Sequence, residues 1–124
     1  MTNDLRLAGR LLADNGIICV DDFFNPRYPQ LTYAVTEFLL KKRSSFKMFL
    51  CGFNKGYICR ARYEQKFLHL VRTGLADGLH SRGFSDFTIF KTDLAGPCNS
   101  FGIGPRWQEY TYYGLDEDPA RIVY

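Results

Sequence analysis

No stretch of this chain approaches the ~20 consecutive apolar residues that a helix needs to cross a bilayer. The opening Met1-Thr2-Asn3-Asp4-Leu5-Arg6 lacks the basic start and apolar block of a secretory signal. A cytoplasmic protein without a membrane partner is therefore expected. A strong charge of one sign is also missing: the net charge is +3, which neither demands nor excludes a polyanionic partner. Cys19, Cys51, Cys59 and Cys98 form no Cys-x-x-Cys pair, and no Cys/His group has zinc spacing. Cys19, Cys51 and Cys59 fall in apolar, strand-like runs, where a buried, reduced thiol acts as a small hydrophobe. A Cys51–Cys59 bridge across a hairpin is the other possibility, one that suits a cytosolic protein poorly. Internal repeats and low-complexity segments are absent as well. What the sequence does have is 124 residues, 46% hydrophobic, enough for one domain with its own core.

The hydrophobic pattern orders that core. Leu5, Ala8, Leu11 and Leu12 recur at helical spacing, predicting a helix over 3–14 that Asn15-Gly16 stops. Ile17-Ile18-Cys19-Val20 has no polar face, as expected of a strand covered on both sides in a parallel sheet, and Asp21-Asp22 ends it. After the proline-containing segment 23–29, the stripe Leu31, Ala34, Val35, Phe38 and Leu39 predicts a helix ending near Arg43. Residues 46–51 and 57–61 read as two strands about the turn 52–56, and strands joined so closely are antiparallel. Phe67, Val71, Leu75 and Leu79 place a long helix over 63–80, with a kink or close packing expected at Gly74 and Gly78. A last strand is expected over 84–91. The Gly-, Pro- and aromatic-rich residues 93–124 form an unassigned extension to a domain over 1–92. Helix, buried strand, helix and hairpin together indicate an open α/β sandwich with helices on both faces of the sheet.

Asn3 to Ala8, Leu11 to Asp22 with its Gly16-Ile17-Ile18-Cys19-Val20-Asp21-Asp22 core, Tyr33 to Phe38, and the hairpin 46–61 with Asn54-Lys55-Gly56-Tyr57 at its turn resemble one family. It is the class I S-adenosylmethionine-dependent methyltransferases. The resemblance covers about half of the chain. It implies a partial Rossmann-like α/β sheet, with 17–20 as the family's fifth strand and the hairpin as its sixth and seventh. The family binds its methyl donor through a glycine-rich loop after the first strand and an acidic residue ending the second. Neither has a counterpart here, since Gly102-Ile103-Gly104-Pro105 lacks the strand-to-helix context. The resemblance thus implies the C-terminal half of a methyltransferase domain, inactive by itself, with S-adenosylmethionine bound only in a completed fold.

In metal-dependent O-methyltransferases of this family an acidic pair at the end of the fifth strand holds a divalent ion, and Asp21 and Asp22 match that position. A Mg2+ ion there would clamp the hydroxyls of a small-molecule substrate and lower their pKa. Adjacent strand residues point to opposite faces, so both carboxylates reach one ion only if the chain bends at Asp22. The plainer alternative is one capping aspartate and one solvated one. Asn25, Arg27 and Tyr28, just beyond the pair, are candidate substrate contacts, because ligands of open α/β sheets gather at the carboxyl ends of strands. The alternative, favoured here, is that Phe23, Phe24 and Tyr28 only cover the core. Lys55, on a hairpin turn, could reach an acceptor group but reads as a solubilising charge, and His69 and His80, with no ligand cluster near them in sequence, read as neither catalytic nor ligating.

Two other functions compete with O-methyl transfer. A non-catalytic interaction module would use the open side of strand 17–20 to form a homodimer or to join a complementing chain. Nucleic-acid binding would draw on Lys41, Lys42, Arg43, Lys47, Lys55, Arg60, Arg62 and Lys66. The modest net charge and the missing motif favour a solvated face for these residues.

Overall fold

The computed structural model describes residues 2–42, 45–91 and 100–106. Helix α1 (Thr2–Leu11) carries Asp4 in its first turn and Arg10 in its last, each at the dipole end that suits its charge. Its inward side is Leu5, Gly9 and the half-buried Leu12, whereas Leu11, expected in the core stripe, is 76% exposed. Strand β1 (Ile17–Asp21) follows, then helix α2 (Pro29–Lys41), with proline in the first turn, where its missing N–H costs nothing. Leu31, Val35, Phe38 and Leu39 are buried along α2, the face that the periodicity predicts. Strands β2 (Phe46–Gly52) and β3 (Lys55–Arg60) form a hairpin closed by Phe53-Asn54, both at positive φ (47° and 65°), a twist that matches paired strands.

The long helix expected over 63–80 is present but segmented. A 3-10 turn (Ala61–Tyr63) leads into α3 (Glu64–Leu70), a π-helical turn covers Val71–Leu75, and α4 (Ala76–Ser81) ends the run. Gly74 lies within the π turn with open space around it, so neither a close packing partner nor a proline explains it. Gly83, at φ +87°, closes the helix: its N–H donates to the His80 carbonyl at 3.0 Å and the Phe84 N–H donates to the Leu79 carbonyl at 3.0 Å. These two bonds are a Schellman stop that only a residue tolerant of the left-handed region forms cheaply. Strand β4 (Phe87–Lys91) and strand β5 (Phe101–Pro105) complete the order. The fold is mixed α/β.

The five strands form one sheet in the order β1-β3-β2-β5-β4. Its pairs are antiparallel except β2 with β5, which are parallel. β1 and β2 therefore run the same way with β3 between them. β1 does not sit inside a parallel sheet, as its apolar run suggests. It is an edge strand paired only with β3 among the described residues, and Ile17 and Cys19 on it are exposed. The run is apolar on both faces, but helices cover only the side of Ile18 and Val20.

Alternation along the strands divides the interior into two cores. Leu5, Val20, Leu31, Val35, Phe38, Met48 and Ile58 join α1 and α2 to one face of the sheet. Leu50, Cys59, Phe67, Val71, Phe87, Ile89, Phe101 and Ile103 join α3 and its continuation to the other. Phe49 is the extra residue of a β-bulge, where the pairing shifts between Met48 and Leu50, so it and Leu50 share the second core. Burying each such side chain contributes roughly 1.5–3 kcal/mol. The bulge also settles the cysteines. Cys51 packs against the first core and Cys59 lies in the second, on opposite sides of the sheet, so no bridge joins them. Cys19 is exposed rather than buried, and Cys98 lies outside the described residues. Residues 101–105, from the stretch left unassigned above, belong to the sheet as β5; residues 107–124 lie outside the described ones.

Candidate functional site

The C-terminal ends of β1 and β2 lie on one rim of the sheet, and the acidic pair stands there. The chain bends at Asp22, whose φ of +56° lies in the left-handed region. Asp22, Phe53 and Asn54 are the non-glycine residues at positive φ among those described, and all three belong to this rim. Asn54 ties the bend to the hairpin turn. Its amide nitrogen donates to Asp22 Oδ1 at 2.9 Å, its carbonyl accepts the Phe23 N–H at 3.0 Å, and its Oδ1 accepts the Phe24 N–H at 3.1 Å. Asn25 Nδ2 also donates to Asp22 Oδ1, at 3.1 Å. The Phe23 carbonyl accepts a hydrogen bond from Thr32 on α2, anchoring the loop from beneath.

Asp21 faces a different partner. Lys55 Nζ lies 2.5 Å from its Oδ1, opposite it in the β1–β3 register, and the Asp22 N–H donates to the same oxygen at 2.9 Å. The Lys55 hydrogen bond, then the Asp22 N–H, hold the Asp21 carboxyl below the usual carboxylate range. The same bond raises Lys55. The bend thus occurs as sharing one ion would require, yet the structure directs the two carboxylates to separate partners. Among the described residues no group of three His, Cys, Asp or Glu side chains is placed to hold a metal ion. Among the described residues Asp21 pairs with Lys55 and no third carboxylate, thiol or imidazole joins the two aspartates.

The expected substrate contacts divide likewise. Asn25 is half-buried and structural, its Oδ1 accepting the Arg27 N–H at 2.9 Å. Arg27 and Tyr28 are exposed, and neither covers the core. Phe23 is buried and Phe24 exposed, edge-on with centroids 4.3 Å apart.

Next to this rim, on the α3 side of the sheet, lies an apolar groove of about 990 Å³ that the sequence reading missed. Phe49, Tyr57 and Phe67 form its floor, the π turn with Gly74 one wall, and Phe53 and Phe84 its lips. Ser85, Asp86 and Tyr57 are the polar residues that line it among those described. Burial, then the neighbouring Cys19, keep the Tyr57 phenol protonated beyond its ordinary range. Phe53 is held at φ +47°, where a bulky side chain costs roughly 1–2 kcal/mol, and it projects beside the groove 54% exposed. The signal available in sequence was the cluster Phe84, Phe87 and Phe90 after Gly83, which reads as core. The groove has the size and lining of a small-molecule site: apolar walls, few polar groups, a position beside a sheet rim. The chain matches no family model, no curated protein and no solved structure.

Proposed function

We propose that this chain is the acceptor-binding part of a Rossmann-like, S-adenosylmethionine-dependent methyltransferase-type domain. It acts on a hydroxyl of a small, largely apolar molecule held in the groove, and it needs a complementing segment along β1 to bind the donor. The supporting observation is β1 itself. Its outer edge has no strand partner among the described residues, and its C-terminal end turns through Asp21-Asp22 onto the rim beside the groove. In the reaction the acceptor oxygen forms a bond to the donor's methyl carbon as the carbon–sulfur bond breaks. The acceptor proton passes to solvent or a base, and S-adenosylhomocysteine leaves. The groove's contribution is to hold the acceptor away from water and in line, a positional effect. The reading stands without a metal. Calorimetric titration with S-adenosylmethionine, with and without magnesium, tests it. The isolated chain should give no heat, and a mixture with a polypeptide carrying the glycine-rich donor half should bind. Failure of that mixture to bind donor sinks the proposal.

A second reading rests on the same edge. Leu7, Leu11 and Ile17 are 56%, 76% and 46% exposed, so α1 and β1 both present apolar side chains to solvent. A homodimer or hetero-assembly through β1 would cover Ile17, and an unpaired strand edge favours such pairing. Light scattering across concentration distinguishes it: association that Ile17→Lys abolishes supports it, and a strict monomer rules it out.

A further inference from the structure

Gln65, Leu68, His69 and Arg72 fall at i, i+3, i+4 and i+7, on one face of α3 and its π turn. That face meets the β5–β4 end of the sheet, where Lys91, the last residue of β4, pairs with Phe101, the first of β5. Between them is a cleft of about 280 Å³ lined by Gln65, His69, Arg72, Lys91, Ser100 and Phe101, together with Leu68. The Arg72 guanidinium lies over the Phe101 ring, 5.7 Å from its centroid, and Phe101 is only 2% exposed. The buried ring supports one side of the guanidinium. Among the described residues that line the cleft none is aspartate or glutamate. The ion pairs among the described residues, Lys41–Glu37, Lys55–Asp21 and Arg62–Asp14, all lie elsewhere. Two permanent cations and an imidazole, all exposed, therefore line one cleft with no carboxylate among the described residues, an arrangement that attracts an anion entering it.

From this convergence we infer that the cleft binds the phosphate group of a small phosphorylated molecule, a role separate from methyl transfer. Donors arriving from α3, the π turn and β4 suit a tetrahedral group with three terminal oxygens better than a planar carboxylate with two. The volume lies just below the ~300–1,000 Å³ range of drug-sized pockets, which favours a phosphate with a few carbons over a nucleotide or a nucleic-acid strand.

The test is titration of the whole chain with glycerol phosphate, inorganic phosphate and sulfate, followed by backbone amide NMR. Glycerol phosphate should bind saturably, shifting residues 65–72, 91, 100 and 101. Arg72→Gln and Lys91→Gln should each weaken it by about tenfold, the loss of one charge-assisted hydrogen bond. Lys66→Gln, on a neighbouring face of α3, should leave it unchanged. Arg72→Gln also removes the stack on Phe101, so Lys91→Gln carries the test if that variant fails to fold. Equal weakening by Lys66→Gln would reduce the cleft to diffuse charge attraction and overturn the assignment. So would unsaturable binding, or shifts from inorganic phosphate or sulfate with none from glycerol phosphate.

Discussion

Asp22 holds a left-handed backbone at φ +56° and accepts two side-chain amide hydrogen bonds on one oxygen. Asn tolerates that conformation and keeps an acceptor oxygen, whereas Ala does neither. Asp22→Ala should therefore cost about 2–3 kcal/mol in urea unfolding, and Asp22→Asn less than about 1 kcal/mol. Equal losses for the two variants would mean that the negative charge, not the geometry, is what the bend needs. Thiol chemistry offers a second residue-level contrast. Burial, then the Glu64 carboxylate, push the Cys59 thiol up to about 11, while Cys19 is exposed. At pH 8 iodoacetamide should label Cys19 quickly and Cys59 only as fast as the chain unfolds, as read by peptide mass spectrometry. Native-state labelling of both at one rate would contradict the buried position of Cys59. Because the folded pKa is the higher, this thiol's contribution to stability is complete below the unfolded value of ~8.5 and is lost as pH rises toward the folded one.

At the scale of elements, two glycines should respond oppositely to the same change. A Cβ on Gly52, at φ +150°, would lie 1.8 Å from the Ile103 carbonyl oxygen, whereas a Cβ on Gly74 meets nothing within 4 Å. Gly52→Ala should cost at least about 3 kcal/mol by forcing β2 and β5 apart. Gly74→Ala should gain up to about 1 kcal/mol through helix propensity. Thermal unfolding of both variants checks the pair, and a destabilised Gly74→Ala would show that the π turn needs glycine. The same elements mark what the sequence made legible. The α2 stripe was readable because one face is apolar and the other polar, and the hairpin because Asn54 and the flanking glycines punctuate two apolar runs. The position of β1 was not readable, since Ile17-Ile18-Cys19-Val20 is apolar whether one face is covered or two. β5 was hidden because glycine alternates with Phe101 and Ile103, a composition that reads as loop until a distant β2 pairs with it. Of the candidate site, the end of β1 at Asp21-Asp22 could be read from sequence, whereas the left-handed bend at Asp22 appears only in the fold. The groove could not, because its walls come from β2, β3, α3 and β4 and meet only in the folded chain.

For the molecule as a whole, the Asp21–Lys55 pair ties the β1 edge to the sheet and should shape the limits of stability in pH. Asp21 is lowered in the fold, so its contribution is present above the ordinary carboxylate value of ~3.9 and fades as pH falls through the lowered one. Lys55 is raised, so its contribution is present below ~10.4 and fades as pH rises through the raised value. Both groups are exposed, so salt should weaken the effect. Urea midpoints measured across pH should fall less at both extremes in Lys55→Met than in the parent chain. Parallel curves for the two proteins would show that the pair carries no stability.

The parallel seating of β5 beside β2 has a consequence for biosynthesis. A nascent chain that has emerged as far as Arg60 already holds α1, α2 and the strands of the first core. Leu50, however, waits for Phe101 to pair with it. α3 covers Phe49 and Cys59 on the opposite side once it has emerged, but the free edge of β2 stays unpaired until β5 arrives. The β2–β5 pairing has the longest sequence separation in the sheet, so a chain stalled on the ribosome before β5 would expose an open β2 edge to chaperones.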